Sequence, residues 1–387
     1  MPTAMTSTDR QHDTQRPALP DLAVNSSSNP SATPAELTGQ AYKSRRRRIE
    51  LMRTTVQLVS LAVIIWIGIE FYLWVHTLPT GEPIGSRPPG VEGFLPISAL
   101  ISLRYWWLTG IFSKIHPAGL VILLLILSTG LFLKKAFCSW ICPAGTISES
   151  LASVGQKIFR RRISLPAWLD YPLRSLKYLL LFFFAWAVFV QMSPQAIALF
   201  LGSPYNKVAD VKMLMFFTEI TPFAIKVLIA LVALSVVIPF AWCRYLCPYG
   251  ALLGVLSLAS PLKISRRAAS CIDCGLCTKA CPSNLPVERL DRISSDECVG
   301  CLSCVASCPV PDALQVRMPR PWYRAVSPVR FAALVILLFF GGIGVAKLSG
   351  YWASEISETE YRRRIQEVNS PKYQHAQGQV PDYGPDD

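Results

Sequence analysis

Cys271, Cys274, Cys277 and Cys281, followed by Pro282, share their spacing with Cys298, Cys301, Cys304 and Cys308, followed by Pro309. The run C-x2-C-x2-C-x3-C-P is a spacing that binds two cubane [4Fe-4S] clusters, three close cysteines gripping one cluster and the fourth crossing to the other. The first cluster is expected on Cys271, Cys274, Cys277 and Cys308, and the second on Cys298, Cys301, Cys304 and Cys281. Structural zinc is the competing reading, but it favours two separated pairs over four cysteines packed into one short run. The chemistry these residues support is electron transfer.

The other four of the twelve cysteines form a second pattern. Phe137-Cys138-x3-Cys142-Pro143-x-Gly145 is matched by Trp242-Cys243-x3-Cys247-Pro248-x-Gly250. Cysteines four apart lie on one face of a helix, and a proline just after the second biases that residue away from helix. Two such ends brought together by a repeat place four thiolates around one point. Cys138, Cys142, Cys243 and Cys247 are therefore candidates for a further redox metal centre or for redox-active thiols, with plain packing of buried cysteine as the alternative.

The elements that must position these residues are apolar. The chain has 387 residues, 51% hydrophobic and only 16% charged, too apolar for a soluble protein around one small cluster domain. A span needs about 20 mostly apolar residues. Five segments qualify: Thr54 to Val75, Ala118 to Leu133, Leu176 to Met192, Phe223 to Phe240 and Val329 to Lys347, the second being short. The first four form two hairpins, each ending in a Cys-x3-Cys-Pro motif. Gly341, Gly342 and Gly344 read as close-packing residues of a membrane helix rather than a phosphate loop.

A net charge of +13 raises the question of nucleic acid, but its distribution answers it. Lys43, Arg45 to Arg48 and Arg53 precede the first span, and 25 Lys/Arg fall on the expected inner stretches against five on the outer loops. Under the positive-inside rule the N-terminus and the eight-cysteine segment are cytoplasmic and the C-terminal tail is outside. Inner-face basic residues also meet anionic lipid. All twelve cysteines then fall on the reducing side, which favours metal ligation over disulfides. Residues 1–42 are polar and lack an apolar run, so a disordered tail is expected there, and the first span reads as a signal anchor.

Protonatable residues near apolar surface are candidates for quinol chemistry, which releases protons with electrons. Glu70 lies inside the first span and is the one candidate catalytic group, with snorkelling or pairing to Arg104 as the plainer account. His76 and His116 flank spans on the outer side and read as surface or proton-relay residues rather than haem ligands. The segment Phe94 to Phe112, carrying Arg104, Tyr105, Trp106 and Trp107, reads as interfacial or re-entrant, with an aromatic belt as the plainer account and the roof of a quinone pocket as the alternative. Thr146 and Glu149 form a T-x-x-E start signal ahead of Ile147, Leu151, Val154 and Ile158, an amphipathic inner-surface helix running to Arg160 to Arg162. Ser357 and Glu360 offer the same signal before Tyr361 to Ile365, read as a solvated charged helix or an outer docking helix.

Paired Cys-x3-Cys-Pro motifs followed by the double C-x2-C-x2-C-x3-C-P segment resemble the ferredoxin-type membrane proteins of the NapH and MauN type, over residues 50–320. The resemblance implies electron transfer between the quinol pool and a dedicated partner redox protein, as a quinol dehydrogenase component acting as a carrier. The fifth span and charged tail depart from the four-span pattern of NapH, which leaves the partner open. The related NosR type adds a periplasmic flavin domain and the CcoG type a folded outer domain, neither of which is matched here.

The expected fold is a mainly α integral membrane bundle with a small α+β ferredoxin domain. Its segments are a disordered tail (1–42), a membrane domain with the two repeats (43–265), the ferredoxin domain (266–318), a fifth span (319–350) and an outer tail (351–387). The expected function is iron-sulfur electron transfer at a bacterial inner membrane, with quinol as donor. The alternatives are a reductase supplying electrons for metal-centre assembly, such as copper, and a redox-sensing regulator.

Overall fold

Proline sets the rhythm of this chain. The computed structural model describes residues 34–160, 163, 165–310, 312–319 and 324–373, and most of its longer helices begin with Pro at one of their first two positions, where the missing N–H costs nothing. In chain order the membrane half holds α1 (Pro34–Thr77), α2 (Pro96–Thr109), α3 (Pro117–Phe132), α4 (Ala136–Trp140), α5 (Pro143–Phe159) and α6 (Ala167–Trp186). It continues with α7 (Pro194–Gly202), α8 (Pro204–Lys207), α9 (Ala209–Thr218), α10 (Pro222–Val237) and α11 (Pro248–Leu258). The cysteine-rich segment adds β1 (Lys263–Arg266), α12 (Leu276–Ala280), α13 (Ser303–Ala306), β2 (Leu314–Arg317) and β3 (Ala325–Val326). The chain closes with α14 (Pro328–Ile336), α15 (Gly342–Leu348) and α16 (Glu358–Gln366).

Among the described residues three helical stretches are long and apolar enough to cross a membrane: Gly39–Thr80, Trp168–Gln191 and Pro328–Leu348. The last runs from α14 into α15 through a π turn at Leu337–Gly341. The other two expected spans are altered. The segment expected at Ala118 to Leu133 is the 16-residue α3, shorter than a crossing helix. The segment expected at Phe223 to Phe240 is α10, bent by 81° from α9 at a break that carries Pro222. The membrane core therefore contains short and broken helices, which a bilayer tolerates where other helices cover them.

That cover is reciprocal between the repeats. In each, an apolar helix leads to a cysteine motif and then to a second helix: α3 to α5 in the first, α10 to α11 in the second. The second helix of each copy packs on the first helix of the other, α5 on α10 and α11 on α3. Glycines allow the contact. A Cβ on Gly155 of α5 would lie 1.9 Å from the Val236 carbonyl oxygen of α10, and one on Gly130 of α3 would lie 2.7 Å from Leu253 of α11. Exposed Ile147, Val154 and Ile158 leave the apolar face of α5 turned outward, as expected for a lipid-facing helix.

The antiparallel sheet β1-β2-β3 begins at Lys263, which faces Arg317, so the ferredoxin segment starts three residues before the expected 266. Its core residues Ile264, Val287, Ile293, Leu302 and Val316 belong to the same buried cluster as Trp140, Leu253, Phe331 and Val335 of the membrane half. From Arg45 on, the described chain is one compact unit. The expected disordered tail falls outside the described residues up to 33, and from Pro34 the chain is helical. Arg161 and Arg162 also lie outside them.

Gly155→Ala is expected to destabilise the protein by about 1–3 kcal/mol through overpacking. The measurement is the midpoint of thermal unfolding in detergent. Gly68→Ala, where nothing lies within 4 Å, is the matched control and should leave the midpoint unchanged.

Candidate redox centre

Each Cys-Pro pair opens a helix. Cys142 and Cys247 are the N-cap residues of α5 and α11, with extended backbone, and Pro143 and Pro248 are the first helical residues. The sequence expectation that proline merely disfavours helix is thus refined: proline starts the next one. The free amides of each helix N-terminus point at the cap sulfur, those of Gly145 and Ala144 at Cys142 and those of Gly250 and Tyr249 at Cys247, with Gly250 N 3.4 Å from Cys247 Sγ. Such amides favour thiolate over thiol. The glycine two residues after each proline has its own reason. A Cβ on Gly145 would sit 2.0 Å from the Cys138 carbonyl oxygen, and one on Gly250 would sit 3.0 Å from that of Cys243.

Cys138, Cys142, Cys243 and Cys247 line one cavity of about 590 Å³. Most of its remaining wall is apolar, with Pro96, Ile97 and Leu100 of α2, Leu123 and Ile126 of α3, and Leu180, Leu181 and Phe184 of α6, joined by the charged Lys135, Arg244 and Glu297. The segment Phe94 to Phe112 therefore does roof a pocket, through the first turns of α2, while its Trp107 stays 82% exposed. Burial pushes the Cys142 thiol up to about 11 despite its helix amides, and the Cys243 thiol up to about 12. Without a metal all four are protonated and poorly nucleophilic at neutral pH, so this arrangement favours metal thiolates over freely reacting thiols.

The residues between the cysteines hold the motifs in place. In the second copy, Arg244 Nη2 and Tyr245 Oη donate to Asp170 of α6 at 2.8 and 2.7 Å, and Arg174 also pairs with Asp170. In the first copy, Ser139 Oγ donates to the Val299 carbonyl at 2.6 Å and Trp140 Nε1 to that of Gly300 at 3.1 Å. Both acceptors lie in the loop between Cys298 and Cys301. Just before that loop, Lys177 and Tyr178 of α6 bind Glu297 and Asp296. Glu149 departs from its expected capping role and pairs instead with Arg53 and Gln57 of α1.

The eight remaining cysteines form two sets of different exposure. Cys281 joins Cys298, Cys301 and Cys304 around one small cavity walled by Ile264, Leu285, Val287 and Ile293, and all four are buried. Cys308 has Cys277 and Cys274 as its electrostatic neighbours, and in that set Cys274 is exposed and the others half-buried. Cys281 of the first run thus lies with the first three cysteines of the second, and Cys308 of the second lies near Cys274 and Cys277 of the first. Backbone conformation repeats as well. Asp273 and Gly275 flank Cys274 with φ of 49° and 70°, and Gly300 and Leu302 flank Cys301 with φ of 60° and 61°. Left-handed residues on both sides of the middle cysteine curl the loop around a common centre, and Leu302 holds that conformation without being glycine. Among the described residues no three potential ligands converge tightly enough for a single metal ion.

The protonatable candidates lie elsewhere. Glu70 is half-buried on α1 beside Gly85 and does not line the cavity. Arg104 does not pair with it, but donates to the carbonyls of Val188 and Met192 at the end of α6. His76 is exposed and stacks on Tyr72. His116 is buried, 2.6 Å from the Asn206 carbonyl and 3.5 Å from Glu92, in a network that pairs Arg87 with Glu92 and Asp210 at 2.9 and 2.8 Å. Burial opposes charging of His116, yet Glu92 holds its pKa above the ordinary histidine value. Sequence reasoning missed Asp170, Lys177, Glu297, Arg87 and Asp210. The signal for Asp170 and Lys177 was present, since both are ionic residues at the start of an apolar helix.

Fold and cysteine geometry together define a membrane-associated iron-sulfur electron-transfer protein. A family model described as a 4Fe-4S binding domain matches residues 115–166 and 220–267, the two Cys-x3-Cys-Pro repeats, and one described as a 4Fe-4S dicluster domain matches 263–309. The chain is 44% identical over 351 residues to the "Putative electron transport protein YccM" of Escherichia coli, covering 89% of this chain and 98% of that one. It is 26% identical to the ferredoxin-type protein NapH of the same organism, over 61% and 74% of the two chains. It is 24% identical to the methylamine utilization ferredoxin-type protein MauN of Methylobacillus flagellatus, over 61% and 77%. No solved structure matches. The chain belongs to the family of ferredoxin-type 4Fe-4S membrane proteins that includes YccM, NapH and MauN.

Asp170→Ala frees Arg244 and Tyr245 and should loosen the second motif. In iron-free protein, maleimide labelling of Cys243 and Cys247 is expected to rise several-fold while that of Cys271 stays constant, as read by peptide mass spectrometry. Equal rates in both proteins would remove the clamp from the account.

Proposed function

We propose that this protein oxidises quinol in the 590 Å³ apolar cavity and passes the electrons singly through its cysteine-held centres to a soluble redox partner. The observation that carries the reading is that this one cavity touches both cysteine systems. Its wall includes Cys138, Cys142, Cys243 and Cys247, and also Pro282, Glu297 and Val299 beside Cys281 and Cys298. A cavity of this size and polarity suits a quinone head group and the start of its tail.

In this reading Cys281, Cys298, Cys301 and Cys304 hold the cluster nearer the membrane, and Cys271, Cys274, Cys277 and Cys308 hold the outer one. Cys138, Cys142, Cys243 and Cys247 hold a further centre at the end of the cavity. Bound clusters supply one-electron redox steps, which divide the two electrons of a quinol. The side chains do the rest: α2 and α6 exclude water from the donor, and exposure rises from the buried set to Cys274, where a partner protein can approach. The basic N-terminal run and the ferredoxin segment then face the cytoplasm of a bacterial inner membrane. Five crossings result if α3 counts as a short span and α9 with α10 as a broken one.

Low-temperature EPR on anaerobically purified, oxidised protein tests this. Addition of menaquinol or ubiquinol is expected to produce reduced-cluster signals, with dithionite as the full-reduction control. Signals with dithionite alone would overturn the quinol reading and favour a cytoplasmic donor, as the assembly-reductase alternative requires. Cys281→Ser should remove or alter the signal of one ferredoxin cluster and Cys308→Ser that of the other. The double variant Cys138→Ser/Cys243→Ser should lower iron content while sparing both.

A further inference from the structure

Lys134 and Lys135 are consecutive and both buried, only 2% and 3% exposed. They lie where the two cysteine systems meet. Lys135 lines the cavity with Cys138, Cys142, Cys243 and Cys247, and its charge acts on Cys138, Cys243 and Cys247. Lys134 acts most closely on Cys298, and its ammonium donates to the Ser295 carbonyl at 3.1 Å. Lys134 has a φ of 60°, a left-handed conformation rare outside glycine, at the turn that leads from α3 into the first motif.

A buried ammonium needs a partner, because leaving water uncompensated costs several kcal/mol. Lys177, which lies close to Lys135, has Glu297. Asp296 is taken by Tyr178. Among the described residues the Lys135 ammonium has no hydrogen-bond acceptor and no carboxylate at ion-pair distance, although it is almost wholly enclosed. Three ammonium groups, those of Lys134, Lys135 and Lys177, thus face two carboxylates. The deficit is one negative charge, on the side of the four membrane-edge cysteines.

We propose that Lys135 is the built-in counter-charge of an anionic metal-thiolate centre held by Cys138, Cys142, Cys243 and Cys247, and that Lys134 serves the cluster held at Cys298 in the same way. The proposal rests on the reading that the four membrane-edge cysteines bind such a centre. A cubane on four thiolates is an anion in both of its working oxidation states, and each added electron deepens the negative charge. A fixed ammonium beside it stabilises the reduced form more than the oxidised one and raises the potential, which charge and burial control in such clusters. The step is transfer of one electron into the centre and nothing else. Two neighbouring residues on one turn thereby adjust two successive centres, making each easier to reduce by a mild donor. A quinone oxygen as the acceptor of Lys135 is the rival occupant, and it leaves the potential of the metal centre untouched.

The test is potentiometric EPR on the full-length protein in detergent, with iron content measured on each sample. Lys135→Met is expected to move the oxidised-to-reduced ratio of the cavity centre at fixed ambient potential about tenfold toward oxidised, ~59 mV for a one-electron couple. The ferredoxin cluster at Cys298, on which the Lys135 charge also acts, should shift less, and the other ferredoxin cluster should keep its potential. Lys135→Arg should restore the wild-type value, and Lys135→Gln, which keeps a donor but drops the charge, should behave as Met does. Lys134→Met should shift a ferredoxin cluster instead. An unchanged potential of the cavity centre in both uncharged variants overturns the proposal, as does an equal shift of every centre. Failure of the underlying reading looks different: Cys138→Ser/Cys243→Ser would then leave iron content and all EPR signals as in wild type.

Discussion

Lys177 is fully buried on α6, and its ion pair with Glu297 is the contact on which the relation between the membrane half and the ferredoxin segment depends. The pair joins two structures directly: Lys177 leads into the apolar stretch of α6, and Glu297 stands immediately before Cys298. A buried pair of this kind adds little net stability, since desolvation offsets the attraction. What it contributes is specificity, because any other docking of the ferredoxin segment leaves an ammonium unpaired in an apolar place. Asp170 has the same role about two turns earlier on α6, where only Arg244 and Tyr245 of the second motif can satisfy it fully alongside Arg174. One helix thus carries the fixed points for a cysteine motif and for a cluster loop.

The cysteine sets were legible in the sequence because ligand spacing is a local property. Cys281 sitting with Cys298, Cys301 and Cys304 follows from the spacing alone. The meeting of the two Cys-x3-Cys-Pro copies was also readable, from their repetition. The way they meet was not. Apolar helices carry no address for their partners, and the exchange of α5 and α11 between the repeats is decided by Gly155 and Gly130, which look like ordinary helix glycines in sequence. The geometry of the apolar segments was hidden for a related reason: hydropathy measures composition, and it cannot see that α10 is turned 81° from α9 or that α3 ends after 16 residues.

Charge on the outer side shows the same limit. The segment Ser357 to Ile365 has the composition of a solvated helix, yet α16 buries Tyr361 and Arg364. Tyr361 Oη lies 3.3 Å from Asp210, its ring lies under Arg87, and Trp74 of α1 meets it edge-on. The solvated reading of this helix is corrected by that packing: one face of it meets the chain itself. Arg87 and Glu92 share one loop, but His116 and Asp210 come from two other segments, and nothing local marks the four as a set. Opposite charges find one another only once the helices have placed them.

The two ends of the molecule therefore bury charge for different purposes. At the end away from the cysteines Arg87 is met by two carboxylates, and His116 lies 3.5 Å from one of them, Glu92, so the network closes on itself. A closed network fixes loops and leaves nothing to react. At the cysteine end the charges of the described residues do not close: the ammonium groups of Lys134, Lys135 and Lys177 meet the carboxylates of Asp296 and Glu297 around a cavity edged by cysteine sulfur. Folding tolerates an imbalance in a dry site only where another ion completes it. The uneven distribution of buried charge thus points to the cysteine end as the place where something anionic is held, independently of the cysteine spacing that first drew attention there.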